Sequence, residues 1–371
     1  MNEDPKQLRE RFEPKETKVL TADPQVVTAR FSPCGKFLAA ASFDARVRRW
    51  DAAGDDLPEL AAIDGHGGWV TALAFAPQGE VLYSADSWGQ IRATANTGET
   101  LAAKWAVKDA HDGWVRELAV SPDGSRLASC GMDKQVRLWS TADGGKQQEF
   151  ATGPDPKIAR INGDFDGDVS CIRFSPDGQS LLTADLKGVV KLWDLATGNV
   201  ARAFNAESLF KLDRLQDCGG VHCLTLDREG KLLAVGGTQP KGGGTVTGIP
   251  TLLVFDFATG ELKHTLTFGQ PNDCFVSDAA FHSAGFVMVT TCGTPGSGQL
   301  LFQRLEDKEP FFVSKKMLNC QSLTAHPDGQ RLAVVATNGG SNGNGRPVDK
   351  DGKYPGNQSP IYILRMPAPP S

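Results

Sequence analysis

V-R-E-L-A-V-S-P-D-G-S-R-L-A-S-C-G-M-D-K-Q-V-R-L-W-S (115–140) sets two apolar strand-like stretches around a turn and adds a third stretch that ends on tryptophan. The turn is S-P-D-G (121–124): proline presets φ at its second position, and glycine at its fourth accepts the positive φ that closes the corner. The same phrase returns along the chain. Its copies are S-P-C-G (32–35), A-P-Q-G (76–79), S-P-D-G (175–178), D-R-E-G (227–230), H-S-A-G (282–285) and H-P-D-G (326–329). The turn glycines fall at 35, 79, 124, 178, 230, 285 and 329, with gaps of 44, 45, 54, 52, 55 and 44 residues. A period of about 40–50 residues belongs to four-stranded propeller blades.

Each copy predicts the same unit. A strand such as V-T-A-L-A-F (70–75) precedes the turn, and one such as S-L-L-T-A-D (180–185) follows it. A third, such as V-K-L-W-D (190–194), and a more polar fourth complete the unit. One such sheet cannot bury both faces alone, whereas seven stacked radially can. The expected fold is therefore all-β: a seven-bladed β-propeller of four antiparallel strands per blade, spanning residues 17–366. Residues 1–16 are expected to form a charged N-terminal tail and 367–371 a C-terminal tail. The seventh copy ends on a third strand, I-Y-I-L-R (361–365), so T-K-V-L-T-A (17–22) is assigned as the fourth strand of the last blade. An open ring would leave a bare sheet edge.

V-K-L-W-D (190–194) and V-R-L-W-S (136–140), with G-H at 65–66 and S-P-D-G between, resemble the WD-repeat β-propeller family, as a divergent, bacterial-type seven-repeat member. The resemblance implies that His111, Ser129, Asp133 and Trp139 form the hydrogen-bonded tetrad that locks a blade. Blade 2 keeps His66 and Asp86 but has Thr94 in place of the tryptophan. Blade 1 keeps Asp44 and Trp50 without the histidine, and blades 5 to 7 keep neither histidine nor tryptophan. The resemblance also implies partner contacts on the face called the top, from residues flanking the valine that opens each first strand. These include Trp69 and Thr71, Trp114 and Arg116, Asp168 and Ser170, His222, and Phe275. Phe43 and Met132, just before the turn aspartates of blades 1 and 3, and the loop residue Trp88 join them. Aromatics with arginine are what binding hot spots prefer. Packing of one or both of Trp69 and Trp114 between blades is the competing reading.

Composition narrows the function. The chain has 371 residues, a formal charge of −5 and no general basic field, which argues against phosphate-driven nucleic-acid binding. No run of 18 apolar residues and no secretory h-region occurs, so neither membrane span nor signal is expected, and a cytoplasmic setting is the default. The eight cysteines form no C-x-x-C pair, and reduced, buried thiols are expected. N-G-D-F-D-G-D (162–168) opens like a calcium loop, but Arg173 stands where the bidentate glutamate belongs. His222, Cys218 and Cys223 lack zinc spacing. No G-x-S-x-G, phosphate-binding loop or H-E-x-x-H is found.

The expected function is thus a non-catalytic, monomeric scaffold that binds a protein or peptide on its top face, without cofactor or metal. The alternative is a small-ligand, metal-binding or enzymatic propeller with a polar pocket at the channel mouth, built from Asp166, Asp168 and His222. Enlarged loops at 238–250, 294–298 and 337–360 are expected to wall the same face.

Overall fold

The computed structural model describes residues 4–97, 100–150, 168–213, 215–241, 248–293, 296–337 and 358–367. Seven antiparallel sheets follow one another around an axis, and in blades 1 to 4 and 6 the four strands lie side by side in chain order, the inner strand first. Blade 1 comprises Val26–Phe31, Phe37–Ser42, Val47–Asp51 and Glu59–Ile63. Blade 3 comprises Val115–Val120, Arg126–Gly131, Val136–Ser140 and Lys146–Phe150. All seven turn glycines have positive φ, between 67° and 84°. In blades 1, 3 and 4 the turn serine accepts a backbone N–H from the start of the second strand, as Ser32 does from Phe37 at 3.0 Å. The repeated turn phrase is thus a local device that reverses the chain, and its period sets the blade count.

The core is not one mass. Buried apolar side chains fall into seven clusters, one at each interface between neighbouring blades. Trp139 of blade 3, for example, packs on Tyr83 and Ala93 of blade 2. Every sheet buries both faces on its neighbours, which is the physical reason seven such repeats make one unit.

Closure follows the expected route. The strand Lys15–Ala22 pairs antiparallel with Ser359–Arg365, from Lys15 opposite Arg365 to Ala22 opposite Ser359, and becomes the outer strand of blade 7. Across the seam, the Val26 and Ala29 amides donate to the hydroxyls of Ser359 and Ser322, each at 3.1 Å.

Two features depart from the expected outline. The first residues do more than trail as a charged tail: Pro5–Phe12 forms helix α1, N-capped by Asp4 with proline in its first turn. Leu8 and Phe12 of α1 are buried between blades 6 and 7, with Phe12 5.0 Å from the Phe286 ring. Blade 5 also has five strands rather than four, because Phe210–Asp213 hairpins onto the long inner strand Gln216–Leu226. Of the enlarged loops, 242–247, 294–295 and 338–357 lie outside the described residues. Around the first gap the blade-5 hairpin extends to Pro240 opposite Gly248. The calcium-like segment 162–167, including Asp166, also lies outside them.

Candidate functional site

The four side chains of the proposed tetrad come together in blade 3. His111 Nδ1 is 2.9 Å from Asp133 Oδ1, its Nε2 is 2.6 Å from Ser129 Oγ, and Trp139 Nε1 donates to that hydroxyl at 2.8 Å. Burial alone would raise the Asp133 carboxyl, but the hydrogen bond from His111 and the guanidinium of Arg137, at 2.7 Å, hold it well below the usual range. Blade 2 builds the same device without tryptophan. His66 bridges Asp86 at 2.9 Å and Ser84 at 2.7 Å, while the buried Thr94 hydroxyl has no hydrogen-bond partner. Blade 4 keeps the other half, with Trp193 Nε1 donating to Thr183 at 2.8 Å.

A β-bulge occurs in the inner strand of each of blades 1 to 6, directly after its opening valine. The extra residue is Val27, Thr71, Arg116, Ser170, His222 or Ser277. Bulges re-aim side chains, and five of these six, all but Val27, line a small central cavity of about 140 Å³. Strict two-residue alternation contains no sign of such bulges, so the sequence could not announce them.

The residues expected on the top face divide into two groups. Thr71, Arg116, Ser170 and His222 turn into the channel. There the Thr71 hydroxyl donates to Val115 O at 2.6 Å and Ser170 to Val221 O at 2.7 Å, tying neighbouring blades together. Arg116 is paired with Asp168 at 3.1 Å, Arg30 with Asp278 at 3.4 Å, and Arg173 with Glu117. The first and third pairs join blades 3 and 4, the second reaches from blade 1 to blade 6, and three guanidinium charges meet three carboxylates. The His222 ring stacks on Phe275, with centroids 4.1 Å apart.

Burial, with the nearby Arg116 charge adding to it, pushes the His222 pKa down to about 4. A histidine held neutral in the fold and free to protonate when unfolded costs no stability above its unfolded pKa near 6.5. Its contribution is lost as pH falls from there toward 4. From pH 7 to pH 5 the wild type is expected to lose about 1–2 kcal/mol more than His222→Gln, read from denaturant unfolding. Equal losses in both proteins would mean that His222 is not held neutral.

The second group forms an aromatic groove of about 630 Å³ on blades 1 to 3. Phe43 and Trp69 stack with centroids 4.6 Å apart, and Trp114 meets Trp69 edge-on at 5.7 Å. Trp88 lies over the backbone of Gly67 and Gly68: a Cβ added at Gly67 would come within 2.8 Å of the Trp88 ring, and one at Gly68 within 2.9 Å. The diglycine is therefore what lets the indole lie flat. Trp88 is 71% exposed and Trp69 46%. Trp114 is half-buried, with the Arg116 guanidinium 5.4 Å from its ring. Met132, 42% exposed, stands apart from the groove on the blade-3 turn. Packing between blades thus accounts for part of Trp114 and little of Trp88.

Blade number, strand order and the His–Asp–Ser–Trp lock of blade 3 are similar to those of WD-repeat β-propellers. The family model for the WD domain, G-beta repeat, matches residues 14–51, 58–93, 105–140 and 156–194. The second and third of these units begin on the outer strand of one blade and end within or at the close of the next blade's third strand, so the sequence repeat is offset from the blade by one strand. A curated relative, the probable serine/threonine-protein kinase PkwA of Thermomonospora curvata, is 38% identical over 68 residues, 18% of this chain. That match spans only 9% of the relative's length. Among solved structures, the β-propeller domain of Cps50 (Swd1) from Myceliophteria thermophila superposes with a TM-score of 0.68. It covers 94% of this chain and 99% of its own at 15% identity, a likeness of fold. WD-repeat propellers commonly serve as scaffolds for protein interaction.

Among the described residues no helix is long and apolar enough to cross a membrane, and no group of three His, Cys, Asp or Glu could hold a metal ion. None of the eight cysteines is in a disulfide; six are buried as expected, whereas Cys34 is exposed and Cys274 half-buried.

Proposed function

We propose that this chain is a non-catalytic, monomeric scaffold of the cytoplasm that docks a protein or peptide on the top face of its propeller. The docking site is the aromatic groove of blades 1 to 3. The observation that carries this reading is the exposure of Trp88 and Trp69, which line one groove. Large exposed rings on a rigid scaffold favour association, because they bury much area at little entropic cost. Neither a cofactor nor nucleic acid is part of this reading. The channel supports the small-ligand alternative poorly: its charged groups pair with one another, and its cavity has room for only a few waters.

Affinity capture from the native host, run beside thermal melts, tests the reading. Trp88→Ala and Trp69→Ala are expected to weaken partner capture by about tenfold or more, as hot-spot truncations do. Trp88→Ala should leave the melting temperature nearly unchanged, as exposed substitutions within about 0.5 kcal/mol do. Unchanged capture, or a melt many degrees lower for Trp88→Ala, would make the groove structural and remove the reading.

A further inference from the structure

The aspartate in the turn between second and third strands is spent on a histidine in blades 2 and 3: Asp86 on His66, and Asp133 on His111. Blade 1 has the aspartate, Asp44, but no histidine to use it, since T-A-D-P-Q (21–25) leads into its first strand. Asp44 Oδ1 is buried and has no hydrogen-bond partner among the described residues, while the side chain as a whole keeps 23% of its surface exposed. Its Oδ2 meets the Arg48 guanidinium only at 3.5 Å, and Arg48 is held more closely by Glu59, at 3.1 Å. One guanidinium between two carboxylates leaves this corner negative. Asp44 is therefore a carboxylate without its usual task, and it lines the aromatic groove.

The rest of the groove carries the same preference. Its walls are the indoles of Trp69, Trp88 and Trp114 and the ring of Phe43, and no lysine or arginine is among its lining residues. The face of an aromatic ring is electron-rich and attracts a cation, indole most strongly. Trp88 offers its outer face almost entirely to solvent. Indole faces and an under-used carboxylate repel an anion, give a neutral side chain only contact area, and reward a positive one twice.

We propose that the groove receives a cationic side chain, arginine before lysine, projecting from the protein partner. Its alkyl stem lies along the indoles and its charged head points toward Asp44. Arginine is favoured because its planar guanidinium stacks on indole while its fork of N–H donors meets a carboxylate. The inference rests on the docking reading above and names the chemistry that the docking surface selects.

The test is a selection of random dodecapeptides displayed on phage against the full chain, with Trp88→Ala as the counter-selection. Peptides that need Trp88 are expected to be enriched in arginine and lysine. Replacing the key arginine by citrulline, which keeps shape and removes charge, should weaken binding about tenfold. Asp44→Asn should weaken the same peptide severalfold, and added salt should weaken it further. Both protein variants should melt like the wild type. If Trp88-dependent peptides lack cations, or if citrulline binds as well as arginine, the cation reading falls and the docking reading stands. If no Trp88-dependent peptide emerges, both fall.

Discussion

A chain lacking residues 1–22 is expected to lose its monomeric state and aggregate on expression, the largest effect anticipated for this protein. The deletion removes the whole outer strand of blade 7 and bares the edge of Ser359–Arg365. It also removes the buried Leu8, Phe12, Leu20 and Ala22. At about 1.5–3 kcal/mol for each large apolar side chain, the loss is on the order of 5 kcal/mol or more. Domains are stable by only about 5–15 kcal/mol, so the deletion removes a large part of the whole. The bared edge then offers unpaired backbone groups to a second chain. A shorter deletion, of residues 1–13, separates the two contributions. It takes away α1 but keeps the closing strand, and should give a monomer that melts lower than the full chain. Light scattering and thermal melts read both outcomes. A monomeric, equally heat-resistant 1–22 deletion would refute closure by this strand.

What the sequence declared was whatever local chemistry decides. Each of the seven turn copies ends on a positive-φ glycine, and five carry proline at the second position, so the copies gave blade number and phase directly. The closing strand was legible because the seventh copy stops one strand short. The tetrad was legible from the family resemblance, on blade 3, the best copy, which keeps all four residue types. What stayed hidden depends on packing between distant parts. Helix α1 carries an Asp-Pro start signal and apolar residues four apart, Leu8 and Phe12, but its charge masks them. Only the cleft between blades 6 and 7 makes those two side chains worth ordering. The bulge after each opening valine has no residue signature, so the side chains flanking that valine looked like one set. The bulges divide them into a polar channel lining and an aromatic groove. Asp44 looked like a degenerate remnant of the tetrad, and only its neighbours make that degeneracy a weakly paired carboxylate in a groove with three indoles.

Asp133→Ala is expected to destabilise the propeller by about 2–4 kcal/mol, whereas Asp44→Ala, at the matching position in blade 1, should cost well under 1 kcal/mol. The two aspartates share a turn and differ in what leans on them. Asp133 accepts hydrogen bonds from His111, Arg137 and the backbone amides of Asp112 and Gln135. Truncation leaves the buried His111 ring with one nitrogen deprived of its acceptor. It also leaves Arg137, whose remaining partners include Glu149 and Ala110 O, short of the less exposed of its two carboxylates. Asp44 gives up only the 3.5 Å contact to Arg48, which Glu59 retains.

The pH dependence carries the same contrast. The Asp133 carboxyl is held below its unfolded value, so its contribution is complete above about pH 4 and is lost as pH falls below that. Wild type and Asp44→Ala should therefore converge on Asp133→Ala in strong acid, with all three separated as predicted at pH 7. Denaturant midpoints at pH 7 and near pH 3 decide it: the gap between Asp133→Ala and the other two proteins should be smaller at pH 3 than at pH 7, and close only in stronger acid. Equal costs at the two positions would mean that the His–Asp lock contributes no more than a turn aspartate without a histidine, and the reason for treating Asp44 as unemployed would go with it.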